Sequence, residues 1–206
     1  MRFPLLMAFD HIRPKDPVHS LGVASIAANL RAFGIPYGIG RINVAQGMKE
    51  TTDPVRIACR YAFSPHANRP STDLIMGAFV WNEPYVQSLS ARLKREGFLG
   101  RIGIAGAQVS YAGPNTLEKY YPHADFFIRG FAEDAVVQLA TKQGKPTVEG
   151  VHWAGQETDN NVHGNPDFSS LPSPYGHGVL EPTKFMRWET TCLLYTSDAA
   201  DDSLRV

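Results

Sequence analysis

The chain has 206 residues, 20 of them basic and 20 acidic, so its formal net charge is zero. This length suffices for one domain with a full hydrophobic core plus an appendage, and the charge balance argues against a nucleic-acid partner. No apolar stretch approaches the roughly 18 residues of a membrane span, the start MRFPLLMAFD lacks a secretory signal's longer apolar region, and Cys59 and Cys192 make no disulfide framework, so a reducing, cytoplasmic setting is expected.

Apolar runs alternate with helical patterns, the signature of a parallel sheet with crossover helices. Phe3 to Phe9 is a nearly unbroken apolar strand, with Pro4 tolerated only near its start. The polar loop DHIRPKDPVHS follows. Val23, Ile26, Ala27 and Leu30 then set a helix from Ser20 to Phe33, with Gly34 as its stop. Tyr37 to Val44 is the second strand. Asp53-Pro54 caps a short helix through Ala62, with Val55, Ala58 and Ala62 on one face and Cys59 as a small buried residue.

Asp73 to Val80 reads as the third strand. Pro84 to Glu96 is a helix with Val86, Leu89 and Leu93 inward. Arg101 to Ala105 is the fourth strand, Pro114 to Tyr121 a short helix, Asp125 to Ile128 the fifth strand, and Ala132 to Lys142 the last helix. These elements predict a Rossmann-like (flavodoxin-like) α/β fold: a five-stranded parallel sheet with flanking helices. An irregular C-terminal linker follows. Val148 to Trp153 suits a small strand, Gln156 to Asp167 reads as loop, and LPSPYGHGVLEP reads as extended linker. His152, Trp153 and His163 are expected to pack there rather than bind metal, because no ligand spacing recurs.

Open parallel sheets bind ligands beyond the carboxyl ends of their strands. The segments there are 10–20, 81–84, 106–113 and 130–133. Gly106-Ala107 is expected to bring backbone close to a flat ligand, with Gln108, Val109, Ser110 and Tyr111 alongside. Gly130 ends a strand where Phe131 and Glu133 begin a helix. Trp81-Asn82-Glu83 places an aromatic ring and two hydrogen-bonding groups at one strand end.

With those segments in place, residues 1–191 resemble the cobalamin-binding domains that precede radical S-adenosylmethionine (radical SAM) barrels. HSLGVASIAANLRAFGI resembles the family's Pro-Leu-Gly-leading first helix, and DLIMGAFVWNEP its third strand and loop. RIGIAGAQVSY resembles its Gly-Gly-containing fourth strand end, with Ala107 in place of the second glycine. DFFIRGFAEDAVVQLA resembles its fifth strand and Gly-Glu-Gly-Glu loop, of which Gly130 and Glu133 match. FSSLPSPYGHGVL and FMRWETT resemble the bridge into the barrel. The resemblance implies that residues 1–146 bind cobalamin, through His19, Ser20, Gly22, Trp81, Asn82, Glu83, Gly106, Ala107, Gln108, Val109, Ser110, Gly130, Phe131 and Glu133. It implies that 147–191 lead toward the barrel, which is the partner in cis.

In cobalamin mutases and methionine synthases a motif Asp-x-His-x-x-Gly sits at the start of the first helix, and its His ligates the lower face of cobalt. His19 and Gly22 match that motif, while Pro17 stands at the Asp position. Asp16 and Asp10 are alternative carboxylates at other offsets. The resemblance thus makes His19 a candidate cobalt ligand, lacking the usual carboxylate behind it.

The family's chemistry needs Cys-x-x-x-Cys-x-x-Cys to hold a four-iron cluster that binds S-adenosylmethionine. Here Glu189-Thr190-Thr191 is followed by Cys192 alone, then LLYTSDAADDSLRV. LLYTSDAADD resembles translated sequencing-adapter sequence. The expectation is a reading frame truncated before the barrel, with residues 192–206 a non-native disordered tail. Iron–sulfur cluster and S-adenosylmethionine would belong to the missing barrel, and the chain alone would be catalytically inactive.

Rival readings of the same fold are weaker on their motifs. A receiver module needs a phosphorylatable Asp after its third strand, where this chain has Val80-Trp81-Asn82. A dinucleotide site needs Gly-x-Gly-x-x-Gly after the first strand, and DHIRPKDPVHSLG has none. A flavodoxin-like or receiver-like binding module without catalysis remains the alternative.

Overall fold

A computed structural model describes residues 1–11, 19–44 and 53–182. Its elements are, in chain order, β1 (Phe3–Asp10), α1 (Leu21–Ala32), β2 (Gly38–Asn43), α2 (Pro54–Ala62), β3 (Thr72–Gly77), α3 (Glu83–Arg95), β4 (Arg101–Ala105), α4 (Ala107–Ser110), α5 (Leu117–Tyr120), β5 (Phe126–Ile128), α6 (Glu133–Thr141) and β6 (Val151–Trp153).

The six strands form one sheet in the order β2-β1-β3-β4-β5-β6. The first five are parallel, as the alternating pattern predicts, and their order is the doubly wound 2-1-3-4-5 arrangement. The expectation of five strands is corrected by a sixth. β6 pairs antiparallel with β5, placing Trp153 opposite Phe126 and His152 opposite Phe127. It shields an edge that would otherwise expose unpaired backbone groups.

Burial on both faces of the sheet follows from side-chain alternation along the strands. Leu5, Met7 and Phe9 of β1 join Leu74 and Met76 of β3 and Ile102 and Ile104 of β4 beneath α2 and α3. Leu6, Ile75, Phe126 and Ile128 point the other way, against Leu30 of α1 and Val136 and Leu139 of α6. Asp53 caps α2 as expected, its carboxylate accepting from the Val55 N–H at 2.9 Å.

Several boundaries differ from the pattern, and β3, read as far as Val80, ends at Gly77. The helix expected from Pro114 begins only at Leu117, because Asn115 adopts a left-handed conformation with φ of 59°. The segment after β4, read as loop, contains the one-turn helix α4, too short for any periodicity to reveal.

Residues beyond α6 fold back onto the sheet rather than leaving it. Gly164 bridges Gly130, Leu180 is buried, and Arg31 of α1 donates to the carbonyls of His177 and Gly178 at 2.7 and 3.1 Å. The expectations for Pro17, Asp16, the FMRWETT bridge and residues 192–206 lie outside the described residues. No helix among the described residues is long and apolar enough to cross a membrane.

Candidate functional site

In the 2-1-3-4-5 order the crevice lies where connections leave β1 and β3 in opposite directions. Asn82 braces that point. Its Oδ1 accepts from the Phe79 N–H at 2.8 Å, and its Nδ2 donates to the carbonyls of Gly77 at 3.0 Å and Phe9 at 3.3 Å. The side chain read as a ligand contact is therefore buried and spent on joining the β3 loop to the end of β1. Next to it, Trp81 stacks on Phe79 with centroids 4.7 Å apart and planes at 4°. Trp81 remains 53% exposed and Val80 78% exposed, presenting an apolar surface at the strand ends.

The loop after β4 is shaped by Gly106, with φ of 94° and ψ of −177°. That region is essentially restricted to glycine, and a Cβ there would lie 2.7 Å from the Ala78 carbonyl oxygen. The close backbone approach expected at Gly106 exists, but Ala78 makes it. The reward is direct: Ala78 N donates to the Ala105 carbonyl and Gln108 N to the Ala78 carbonyl. Ala107 is half-buried at the start of α4, and Val109 is core.

Gln108 and Glu83 do come together. Gln108 Nε2 donates to Glu83 Oε2 at 2.9 Å, and the Tyr121 hydroxyl donates to Glu83 Oε1 at 2.7 Å. Burial, then the hydrogen bond and charge of Glu83, raise the Tyr121 phenol well above its ordinary range, so it stays a donor. A cleft of about 330 Å³ opens between α4 and α5, with Gln108, Tyr111, Thr116, Tyr120 and Tyr121 in its lining.

The β5 loop is tied to the β4 loop. Ser110 Oγ accepts from the Gly130 N–H at 2.9 Å. Gly130, at φ 74°, leaves no room for a side chain, since a Cβ would lie 2.5 Å from the Gly164 carbonyl oxygen. Phe131 is 39% exposed and meets Phe168, 57% exposed, edge to face at 4.8 Å. Glu133 is buried in the first turn of α6. Burial raises its carboxyl above the ordinary range, only partly offset by hydrogen bonds from its own backbone and from Ser25 of α1.

His19 and Ser20 directly precede α1, and Gly22 lies in its first turn. Burial and then the Arg41 charge lower the His19 imidazole, with Asp10 opposing them. Asp10, one of the two carboxylates weighed as a substitute for the motif's Asp, is thus close enough for its charge to be felt. Ser20 precedes the helix without a side-chain capping bond, and Gly22 has open space about its Cα.

Four contributors were missed by sequence reading: Arg129, Asp159, Tyr121 and Phe168. Arg129, 1% exposed, is the keystone. Its Nε and Nη2 donate to Asp159 at 3.3 and 2.5 Å, its Nη1 to the Val109 and Ala112 carbonyls at 2.7 and 2.8 Å, and its Nη2 also to the Gly113 carbonyl at 3.3 Å. Burial works against the Asp159 carboxylate, but hydrogen bonds from Arg129 and the Asn161 N–H, with the Arg129 charge, hold it below the usual carboxylate range. An arginine directly after the apolar run FFI was the available signal.

Strand order and rim together define a doubly wound α/β protein whose loops present apolar rings at the strand carboxyl ends. Solved structures that share this fold include two radical enzymes. One is the radical S-adenosylmethionine methyltransferase TsrM from Kitasatospora setae with tryptophan substrate and a SAM analog bound: 13% identity, TM-score 0.57, covering 79% of this chain and 30% of that one. The other is the cobalamin-dependent S-adenosylmethionine radical enzyme OxsB: 13% identity, TM-score 0.57, covering 89% of this chain and 25% of that one. This chain therefore spans less than a third of either protein's length. No protein-family model and no curated protein matches the sequence.

Proposed function

We propose that the α/β unit holds a corrinoid, cobalamin, across the carboxyl ends of its strands, in the manner of a cobalamin-binding domain of a radical SAM protein. The supporting observation is the set of large apolar side chains left in solvent along one rim: Val80, Trp81, Tyr111, Phe131 and Phe168, between 39% and 78% exposed. A rim of that kind marks a binding surface, and a corrin, broad and mostly apolar on its faces, suits it. The shared fold with TsrM and OxsB agrees with that choice.

The protein's own part is to bind and orient. The Asn82 brace and the Arg129–Asp159 pair fix the β3, β4 and β5 loops before a ligand arrives, so little ordering entropy is lost on binding. Glycines at 106 and 130 serve that loop assembly. His19 is the candidate lower ligand to cobalt; burial and the Arg41 charge favour its neutral imidazole, the form that ligates metals. In a complete radical SAM enzyme the radical chemistry comes from an iron–sulfur cluster needing three thiolates. This sequence has two cysteines, so we assign no radical step to it.

Mixing the protein with hydroxocobalamin and recording the visible spectrum tests this reading. Wild type is expected to retain corrinoid through gel filtration with a spectrum unlike that of free hydroxocobalamin, and His19→Ala to retain it with the spectral change lost. Identical spectra for the two proteins would remove His19 as ligand. No retained corrinoid would remove the cofactor and leave a flavodoxin-like binding module.

A further inference from the structure

The orientation of one amide at the rim carries a consequence for which corrinoids bind. Glu83, as a carboxylate, only accepts hydrogen bonds. It takes one from Gln108 Nε2 at 2.9 Å and one from the Tyr121 hydroxyl at 2.7 Å. The first bond fixes the Gln108 amide: one Nε2 hydrogen is committed to Glu83, which turns Oε1 away from the carboxylate as the acceptor for a ligand donor. Gln108 and Tyr121 both line the cleft of about 330 Å³ between α4 and α5, with Tyr111 and Tyr120 as walls. That volume lies at the small end of ligand pockets, enough for a side arm rather than a macrocycle.

We propose that this cleft takes a primary carboxamide arm of the ligand, whose N–H groups donate to Gln108 Oε1, and that Glu83 acts behind it as the positioning residue. The inference rests on the corrinoid reading above. A corrinoid carries several carboxamide arms, and hydrolysis of one to a carboxylate removes the donor and brings a negative charge toward Glu83. Hydrogen bonds near charged groups are worth enough for roughly tenfold selectivity or more. The site thus discriminates amidated corrinoids from their acids.

The test measures affinity for cyanocobalamin and for its separate monocarboxylic acids, in wild type, Glu83→Gln and Gln108→Leu, with thermal melting to show that each variant is folded. Wild type is expected to bind at least one acid roughly tenfold more weakly than cyanocobalamin. Glu83→Gln removes the like charge and frees the amide to flip, so that ratio should fall toward one. Gln108→Leu should weaken cyanocobalamin and shrink the same ratio. Should folded Glu83→Gln keep the wild-type ratio, or wild type bind every acid as well as cyanocobalamin, the cleft assignment is overturned while the corrinoid reading stands. Absence of binding by every corrinoid would instead overturn the reading beneath it.

Discussion

Replacing Asp159 with Ala is expected to lower unfolding free energy by about 3–5 kcal/mol, because it leaves a guanidinium buried without its counter-charge. Arg129 and Asp159 side chains are 1% and 2% exposed, so water does not compensate. The arginine still holds the Val109, Ala112 and Gly113 carbonyls, which turns its burial from a balanced arrangement into a strained one. Arg129→Met removes the charge and takes a donor from each carbonyl; Val109 keeps the Ala112 N–H and Gly113 the Thr116 hydroxyl, so the main loss falls on the Ala112 carbonyl, about 1–3 kcal/mol if it stays dry. Urea denaturation of the two single variants and the double measures this. The double should lose less than the sum of the singles, since each single abandons a buried partner. A loss below about 1 kcal/mol for Asp159→Ala would mean that the pair behaves as a surface bridge.

The second large effect lies at the opposite end of the sheet. Asp73, the second residue of β3, has its side chain 1% exposed and accepts from Arg2 Nε at 2.7 Å and from Arg101 Nε and Nη2 at 2.7 and 2.6 Å. Arg101 continues over the Trp153 ring at 4.9 Å and donates to the Gly144 carbonyl at 2.6 Å. One carboxylate therefore links β1, β3, β4 and the segment that carries β6. Asp73→Ala should cost about 3 kcal/mol, at the low end for a broken buried pair, because both arginines keep some contact with water at 17–18% exposure. Glu96→Ala, which breaks the exposed Arg92–Glu96 pair on α3, should cost within about 1 kcal/mol. Similar losses for both variants in chemical denaturation would contradict the ranking by burial.

Much of the fold was legible because local and tertiary preferences coincide. Arg101–Ala105 is a strand at the bounds its apolar run suggests, and Leu74 and Met76 are buried on one face and Ile75 on the other, as expected of parallel strands covered on both sides. Asp53-Pro54 starts α2 by chemistry confined to three residues. Where interactions span distant residues, the pattern was silent. The small strand read over Val148 to Trp153 is present as β6, but its antiparallel pairing with the β5 edge is set by residues distant in the chain. Arg129 is buried because carbonyls from 109–113 and a carboxylate fifty residues away from them in the chain converge on it, and no periodicity encodes such a meeting.

The site was legible by place more than by role. Strand order puts 81–83, 106–110 and 130–133 at one rim, and hydrogen bonds join them: Gln108 to Glu83, Gly130 to Ser110. Yet Gly106 and Gly130 admit Ala78 and Gly164 where a ligand was expected, and Asn82 spends its amide on backbone. A glycine in a sequence announces a close approach without saying what approaches. Among the described residues, the rings of Trp81, Phe131 and Phe168 keep much of their surface exposed there.

Equilibrium dialysis against hydroxocobalamin, comparing wild type with a Trp81→Ala/Phe131→Ala double variant, bears most directly on the corrinoid assignment. Wild type should take up one equivalent. The double variant, with two large apolar contacts removed from an exposed rim, should bind at least tenfold more weakly while melting at the wild-type temperature. Equal uptake by the two proteins, or none by either, would contradict the assignment of that rim to the cofactor.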